Sequence, residues 1–272
     1  MLTRNDITSH FERAGGRPSR ALGQNFVADA NTVRRIVRLA AVEATTNVVE
    51  IGAGLGSLTL ALAETGAPVI AVEVDRYLIE TLRANLSAQT NVTIVHADAM
   101  TLDWHATLPI ENGPFTLVAN LPYNVATPLV ADLLDTVPQI TRMLVMVQKE
   151  VGDRIAAAPR TAAYGAVSVK VAYWAVAKVV GLVPPTVFVP QPNVDSALVL
   201  IERRPMPAVD PAVVSAERLF EVVRAGFAQR RKMLRGNLAG IIAADAFERA
   251  GVAPTARAEE LGVEAWGRLA SP

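Results

Sequence analysis

Asn120-Leu121-Pro122-Tyr123 is the tetrapeptide of this chain with the most specific chemistry to offer. Pro122 fixes its own φ and holds the residue before it extended. The Asn120 amide oxygen and the Leu121 carbonyl can then point at one spot, with the ring face of Tyr123 beside it. Two oxygen acceptors and a ring face suit a planar amine such as the exocyclic nitrogen of adenine. That nitrogen is a poor nucleophile because its lone pair is delocalised into the ring. Acceptors on both of its protons favour a pyramidal nitrogen and aim its lone pair, which is catalysis by orientation and fixed dipoles without a titrating base. A plain proline turn beside a core tyrosine is the alternative reading of the same four residues.

Gly52-Ala53-Gly54-Leu55-Gly56 follows a short apolar run and precedes a helical pattern. Glycines there let the backbone turn sharply and let a ligand approach the peptide groups. The pyrophosphate fingerprint needs a further glycine at the sixth position, where this chain has Ser57, so a nucleoside without a pyrophosphate fits the loop as well. Glu73 ends the next apolar run, where a carboxylate can accept both ribose hydroxyls. Asp98 follows the third run, where it can accept an adenine amino group. Either acid alone reads equally well as a solvated loop residue; three successive strand ends in this order resemble the S-adenosylmethionine-dependent methyltransferases with a Rossmann-like sheet.

The elements that must position these residues follow from the pattern. Val48–Ile51, Val69–Val74, Val92–His96, Phe115–Ala119 and Met143–Val147 are short, β-branched runs that read as buried strands. Helical patterns over Ala30–Ala40, Leu58–Ala63, Tyr77–Leu86 and Thr127–Leu134 lie between them. Alternation of this kind predicts an α/β fold with a parallel, doubly wound sheet whose loops line one ligand-binding edge. Pro184, Pro185, Pro190 and Pro192 break the pattern, and Ala197–Ile201 reads as a last strand. Pro205 and Pro207 mark a linker, and Asp210-Pro211 offers an N-cap with a first-turn proline. The expected organisation is a Rossmann-like domain over 1–204, with a basic N-terminal arm over about 1–21, and a small all-α domain over 205–272.

With 26 basic and 26 acidic residues the formal charge is zero, which excludes an indiscriminate polycation. The zero is a sum of unlike parts: residues 1–42 carry +4, residues 43–135 carry −9 and residues 136–272 carry +5. There is no cysteine, which excludes disulfides and thiolate chemistry, and the three histidines lie in separate segments without metal-ligand spacing. No metal is expected. With no signal-like apolar start and no uncharged run of membrane-spanning length, a soluble cytoplasmic protein is expected.

Taken together, these motifs closely resemble the bacterial small-subunit ribosomal RNA adenine dimethyltransferases (the KsgA/RsmA family), relatives of the erythromycin-resistance methyltransferases. The likeness runs from about Leu22 to Leu238. Leu22-Gly23-Gln24-Asn25-Phe26 resembles the family's N-terminal cofactor motif, Glu50–Gly56 its glycine loop and Asn120–Tyr123 its substrate motif. Phe188–Ala197 resembles its late aromatic motif, and Ala228-Gln229-Arg230-Arg231-Lys232 the start of its helical domain. The last two favour the ribosomal family over the resistance enzymes.

The resemblance implies S-adenosylmethionine as cofactor, held by Gln24, Asn25 and Val27 (where the family often has Leu), by Gly52 and Gly54, by Glu73 and Asp98, and by Asn120. It implies that Asn120 accepts from the target amine with main-chain help from Leu121 or Pro122. Tyr123 and Phe188 would sandwich the target adenine; on residue type alone Phe188 reads as a core aromatic. Stacking is worth about 1–3 kcal/mol per base, which offsets the few kcal/mol needed to extrude a base. The substrate implied is a pair of adjacent adenosines in the 3′-terminal hairpin of small-subunit RNA, each receiving two methyls, in an immature 30S particle and late in assembly.

Arg224, Arg230, Arg231, Lys232 and Arg235 form a run free of acids. Such a run is usually a solvated helix face; beside an RNA-methylating site, phosphate contact is the better reading. Arg13, Arg17 and Arg20 with Gly15-Gly16 suggest a mobile arm that orders on binding RNA or cofactor. A monomer is expected. The rival readings are an assembly factor in which methylation is secondary, a nicotinamide-dependent oxidoreductase, disfavoured by Ser57, and an enzyme modifying large-subunit RNA.

Overall fold

The computed structural model describes all residues except 14–16, 20–21, 123–124 and 230. Its strands are β1 (Phe26–Val27), β2 (Asn47–Ile51), β3 (Val69–Glu73), β4 (Val92–His96), β5 (Phe115–Asn120), β6 (Ile140–Gln148), β7 (Ala175–Val183), β8 (Phe188–Val189) and β9 (Ser196–Arg203). Its helices are α1 (Arg4–Arg13), α2 (Ala30–Ala40), α3 (Ser57–Ala63), α4 (Arg76–Asn85), α5 (Trp104–Thr107), α6 (Ala126–Thr136), α7 (Lys149–Ile155), α8 (Ala166–Trp174), α9 (Ala216–Phe227), α10 (Leu234–Asn237), α11 (Ala246–Ala250) and α12 (Val263–Ala270).

Seven strands form one sheet in the order β4-β3-β2-β5-β6-β9-β7, and β1 pairs with β8 in a separate antiparallel ribbon. The pairs β4–β3, β3–β2, β2–β5 and β5–β6 are parallel, and β6–β9 is antiparallel. The chain starts in the middle at β2, winds outward through β3 and β4, then returns to β5. The switch point therefore falls between β2 and β5, where open sheets of this type bind ligands at the carboxyl ends of their strands. Ile51 sits opposite Ala119 in the β2–β5 register, so Gly52 and Asn120 leave the sheet side by side.

The chain divides into two compact units. The first comprises Met1–Gly152 and Lys178–Glu202, the second Asp153–Ala177 and Arg203–Pro272. The core of the first packs α2 and α3 on the sheet through Val33, Ile36, Leu58 and Leu62 against Val48, Val118 and Leu144. The β-branched residues of β2 and β5 are buried on both faces, as parallel central strands require. The second unit has its own core around Tyr173, Phe220, Leu234 and Trp266. Besides the boundary expected near Arg204 there are two further crossings, because the chain also passes between the units within α7 and within β7.

Three local expectations change. α9 begins at Ala216 with Ser215 as its cap, its side chain accepting from Arg218 N at 3.2 Å. Asp210 instead closes a turn, accepting from Ala212 N at 2.9 Å. β7 and α8, nine residues each, fill a stretch for which the sequence suggested no elements. Residues 4–13 of the expected mobile arm form a docked helix. Ile7 and Phe11 share one helix face by their i, i+4 spacing, and Ile7 is fully buried against Leu55 and Leu78. Arg4 secures α1 by donating to the carbonyls of Thr186 (2.8 Å) and Phe188 (3.3 Å). Gly15, Gly16 and Arg20 lie outside the described residues.

Candidate active site

A cavity opens at the switch point. Of the residues expected to hold a cofactor it gathers Gln24, Asn25, Val27, Gly52, Gly54, Glu73 and Asn120, with Leu121 and Pro122 beside them. A second hollow shares Leu22, Gly52, Val74 and Pro122 with the first and is bordered by Asp98. Asp98 is exposed and accepts from Met100 N at 2.9 Å. Val74 and Met100, 44% and 39% exposed, give this second hollow apolar walls fit for a planar ring.

Glu73 organises the cavity. It is buried at the end of β3, with one carboxylate oxygen accepting from Gly54 N at 2.7 Å and the other from Asp75 N at 2.8 Å. A carboxylate offers about four acceptor sites, so two remain for a ligand. Burial pushes its pKa up, against the lowering effect of these backbone donors. Gly52 and Gly54 both adopt positive φ, which a side chain would resist. At Gly54 a Cβ would also lie 2.9 Å from the ring of Phe26, so this glycine admits the β1 aromatic as well as the turn.

Asn120 ends β5 with its amide oriented by the fold. Its Nδ2 donates to the Asn25 carbonyl at 2.8 Å. A carbonyl only accepts, so Oδ1 is the edge of the amide left for another partner. The Pro122 carbonyl accepts from Val125 N (3.2 Å) and Ala126 N (3.1 Å) where α6 begins. Both of its lone pairs are engaged, which leaves the Leu121 carbonyl, to which no backbone N–H donates among the described residues, as the main-chain acceptor. The Leu121 side chain is buried and its N–H donates to Met146 O at 3.0 Å, so the peptide is fixed to β6. Tyr123 lies outside the described residues.

Phe188 requires a correction. It is fully buried in the core of the first unit, among Val27, Val33 and Leu198. No ring face is open to stack on a base in this conformation, and the core role that its residue type suggested is the one it fills.

Glu50 was missed. It lies in β2, 1% exposed, and lines the cavity. Its Oε2 and the Ser57 Oγ are buried without a hydrogen-bond partner among the described residues. An orphaned buried oxygen costs about 1–3 kcal/mol, so both are waiting for a donor. Burial raises the Glu50 pKa from 4.5 to about 8; Thr59 opposes the shift and the neighbouring Glu73 charge adds to it. A carboxyl inside the apolar run Val48–Ile51 was the signal available in the sequence.

In the second unit Arg224, Arg231, Lys232 and Arg235 are all exposed, and none is in an ion pair among the described residues. Arg224 lies in α9 and Arg235 in α10, and the loop between these helices that carries Arg231 and Lys232 is clamped by Asn237, whose Nδ2 donates to Gly226 O (2.7 Å) and Gln229 O (3.1 Å). Gly236 leaves room for the stem of Lys232. Arg230 lies outside the described residues. Among the described residues no group of three or more His, Cys, Asp or Glu is placed to hold a metal ion. Among the described residues no helix is long and apolar enough to cross a membrane.

A doubly wound sheet, a glycine loop at its switch point tied to a strand-end acid, and orphaned buried acceptors beside it define a Rossmann-like methyltransferase that uses S-adenosylmethionine. The chain belongs to the ribosomal RNA adenine dimethylase family, whose profile matches residues 17–271. The ribosomal RNA small subunit methyltransferase A of Kineococcus radiotolerans is 48% identical over all of this chain and 91% of its own length. That of Streptomyces coelicolor is 49% identical over 97% of this chain and 94% of its own. Among solved structures, the 23S rRNA methyltransferase ErmE superposes with a TM-score of 0.70 at 28% identity, covering 90% of this chain and 98% of its own. A dimethyladenosine transferase from Plasmodium falciparum gives a TM-score of 0.75 at 20% identity over 89% and 94% of the two chains, a likeness of fold.

Proposed function

We propose that this protein transfers methyl groups from S-adenosylmethionine to the exocyclic amines of two adjacent adenosines in the 3′-terminal hairpin of small-subunit ribosomal RNA, within an immature 30S particle. The observation that carries the reading is the oriented Asn120 amide, its Nδ2 held by Asn25, on a residue that lines the cavity together with Gly52 and Glu73. Full-length relatives at 48–49% identity bear a small-subunit name, whereas the 23S enzyme stands at 28%, which favours the small subunit as substrate.

The bound donor supplies an electrophilic methyl on its sulfonium. Glu73 accepts from the ribose hydroxyls with its two remaining lone pairs, and Asp98 accepts from the donor's adenine amine between Val74 and Met100. Glu50 receives the α-ammonium of the methionine end, which gives its orphaned oxygen a charged partner. Asn120 Oδ1 and the Leu121 carbonyl hold the two protons of the target amine, and Tyr123 offers a face to the target base. Arg224, Arg231, Lys232 and Arg235 bind RNA phosphates, and Arg230 belongs with them by sequence. The direct test is methylation of immature small subunits and, in parallel, of large-subunit RNA with a tritiated-methyl donor, and mapping of the modified nucleotides. Two dimethylated neighbours near the 3′ end are expected; label confined to large-subunit RNA, or no label, refutes the reading.

Two predictions follow from particular groups. Glu50 must ionise to receive the ammonium. Below its raised pKa the carboxyl is protonated, so its neutral form favours the free fold at low pH and that contribution fades as pH rises from 4.5 through about 8. Donor affinity runs the other way: the dissociation constant should fall by up to about tenfold per pH unit between pH 6 and pH 7. Glu50→Gln should flatten that dependence, as read by calorimetry across this range; an equally steep mutant refutes the assignment. Separately, Arg231→Ala with Lys232→Ala should weaken RNA binding and reduce the slope of log affinity against log salt by about two units at most, while leaving donor affinity unchanged. An unaltered salt slope removes these two residues from the RNA surface.

A further inference from the structure

One side of the donor cavity is formed by residues 22–25 and the other by the glycine loop with Glu73. The two sides are separate in sequence and are joined by a short relay. Gln24 Oε1 accepts from Ser19 N at 2.7 Å, and Gln24 N donates to Ser19 O at 3.1 Å, a reciprocal pair that ties Ser19 to Gln24. Gln24 Nε2 then donates to Asp75 Oδ2 at 2.7 Å across 51 residues of chain. Asp75 N donates to Glu73 Oε1, and Glu73 Oε2 accepts from Gly54 N. The other carboxylate oxygen of Asp75 accepts from Tyr77 N at 3.0 Å and caps α4.

We infer that Asp75 is a positioning residue, which ties residues 22–24 on one side of the donor cavity to the other side through Gln24 and so sets how long the donor stays bound. A donor seated between the two sides leaves only when they part, and the Gln24–Asp75 bond is a direct tie between them. It is a charge-assisted bond, stronger than one between neutral groups. Asp75 touches no reacting atom; it acts through Gln24 on one side and Glu73 on the other. The inference rests on the placement of the donor in this cavity.

The chemistry of the pair supplies a test that separates latch from scaffold. Asp75→Asn keeps an oxygen for the α4 cap, since Asn caps helices as well as Asp, but turns an amide N–H toward the Gln24 N–H. Gln24→Glu keeps the acceptor for Ser19 N and sets a carboxylate against Asp75. Each change alone breaks the latch. Together they restore it with reversed polarity, Asn donating to Glu, and the net charge returns to that of the parent. Donor dissociation, followed by stopped-flow after rapid dilution, should be about tenfold faster in each single variant, as expected for loss of one such bond. It should return to within about threefold of the parent in the double variant. Asp75→Asn should raise KM for the donor with kcat at saturating donor little changed, and should leave the melting temperature of the free protein near the parent's. Release from Asp75→Asn at the parent rate, or a double variant no slower than the singles, overturns the latch while donor placement stands. Failure of the parent protein to bind the donor overturns both.

Discussion

Asn120→Ala is expected to abolish methyl transfer while leaving the donor bound. On the proposed reading its Oδ1 is the side-chain acceptor for the target amine, and a fixed dipole of this kind contributes about 10²–10³ in kcat when it acts on developing charge. Misorientation of the nucleophile adds to that loss, because a near-attack geometry is part of the rate. A fall in kcat of about 10³-fold is therefore expected, with donor affinity within about threefold of the parent. Asn120→Asp sharpens the test. It keeps an oxygen for the amine but loses the Nδ2 donation to Asn25 O, and the oxygen that replaces it faces a carbonyl at the 2.8 Å contact. If orientation by Asn25 matters, Asp should recover only part of the lost rate. Single-turnover transfer on immature small subunits, with donor binding measured in parallel, decides the point. Equal turnover in Asn120→Ala and parent removes Asn120 from the chemistry.

The features that make this prediction possible were legible in the sequence for physical reasons. Glycines, prolines and strand-end acids are tied to backbone positions, so Gly52, Glu73 and Asn120 could be placed on one edge before any coordinates. What escaped was mainly of two kinds. The junction of α8 and β7 passes directly from Trp174 to Ala175 without a glycine or proline, in an alanine- and valine-rich stretch whose periodicity does not separate helix from strand. The docking of α1 depends on Ile7 finding Leu55 and Leu78, contacts that ten mostly polar residues do not announce. Phe188 is the opposite case: its motif carried a role by resemblance, whereas in this structure its ring lies buried in the core. The tie from Gln24 to Asp75 belongs with those two kinds, since nothing in either segment alone names its partner 51 residues away.

The segment with charge −9 acquires a reason at Glu73, where the second large effect is expected. Glu73→Ala should raise the donor dissociation constant by about 100-fold or more. Two losses combine. On the proposed placement the ribose hydroxyls lose their carboxylate, and the Gly54 and Asp75 N–H groups lose the acceptor that holds the glycine loop and the start of α4 in register. The Gly54 bond is buried, so an unsatisfied donor there costs about 1–3 kcal/mol and the free protein should melt several degrees lower. Glu73→Gln preserves volume and one acceptor but places an N–H against either Gly54 N or Asp75 N. It should therefore stay closer to Ala than to Glu in affinity, although it is nearly isosteric. That ordering separates an oriented double acceptor from a side chain that merely fills space. Calorimetric titration of the three proteins with S-adenosylmethionine measures it; a Gln variant that binds like the parent means that one oxygen suffices, and an Ala variant that does so means that the ribose is held elsewhere.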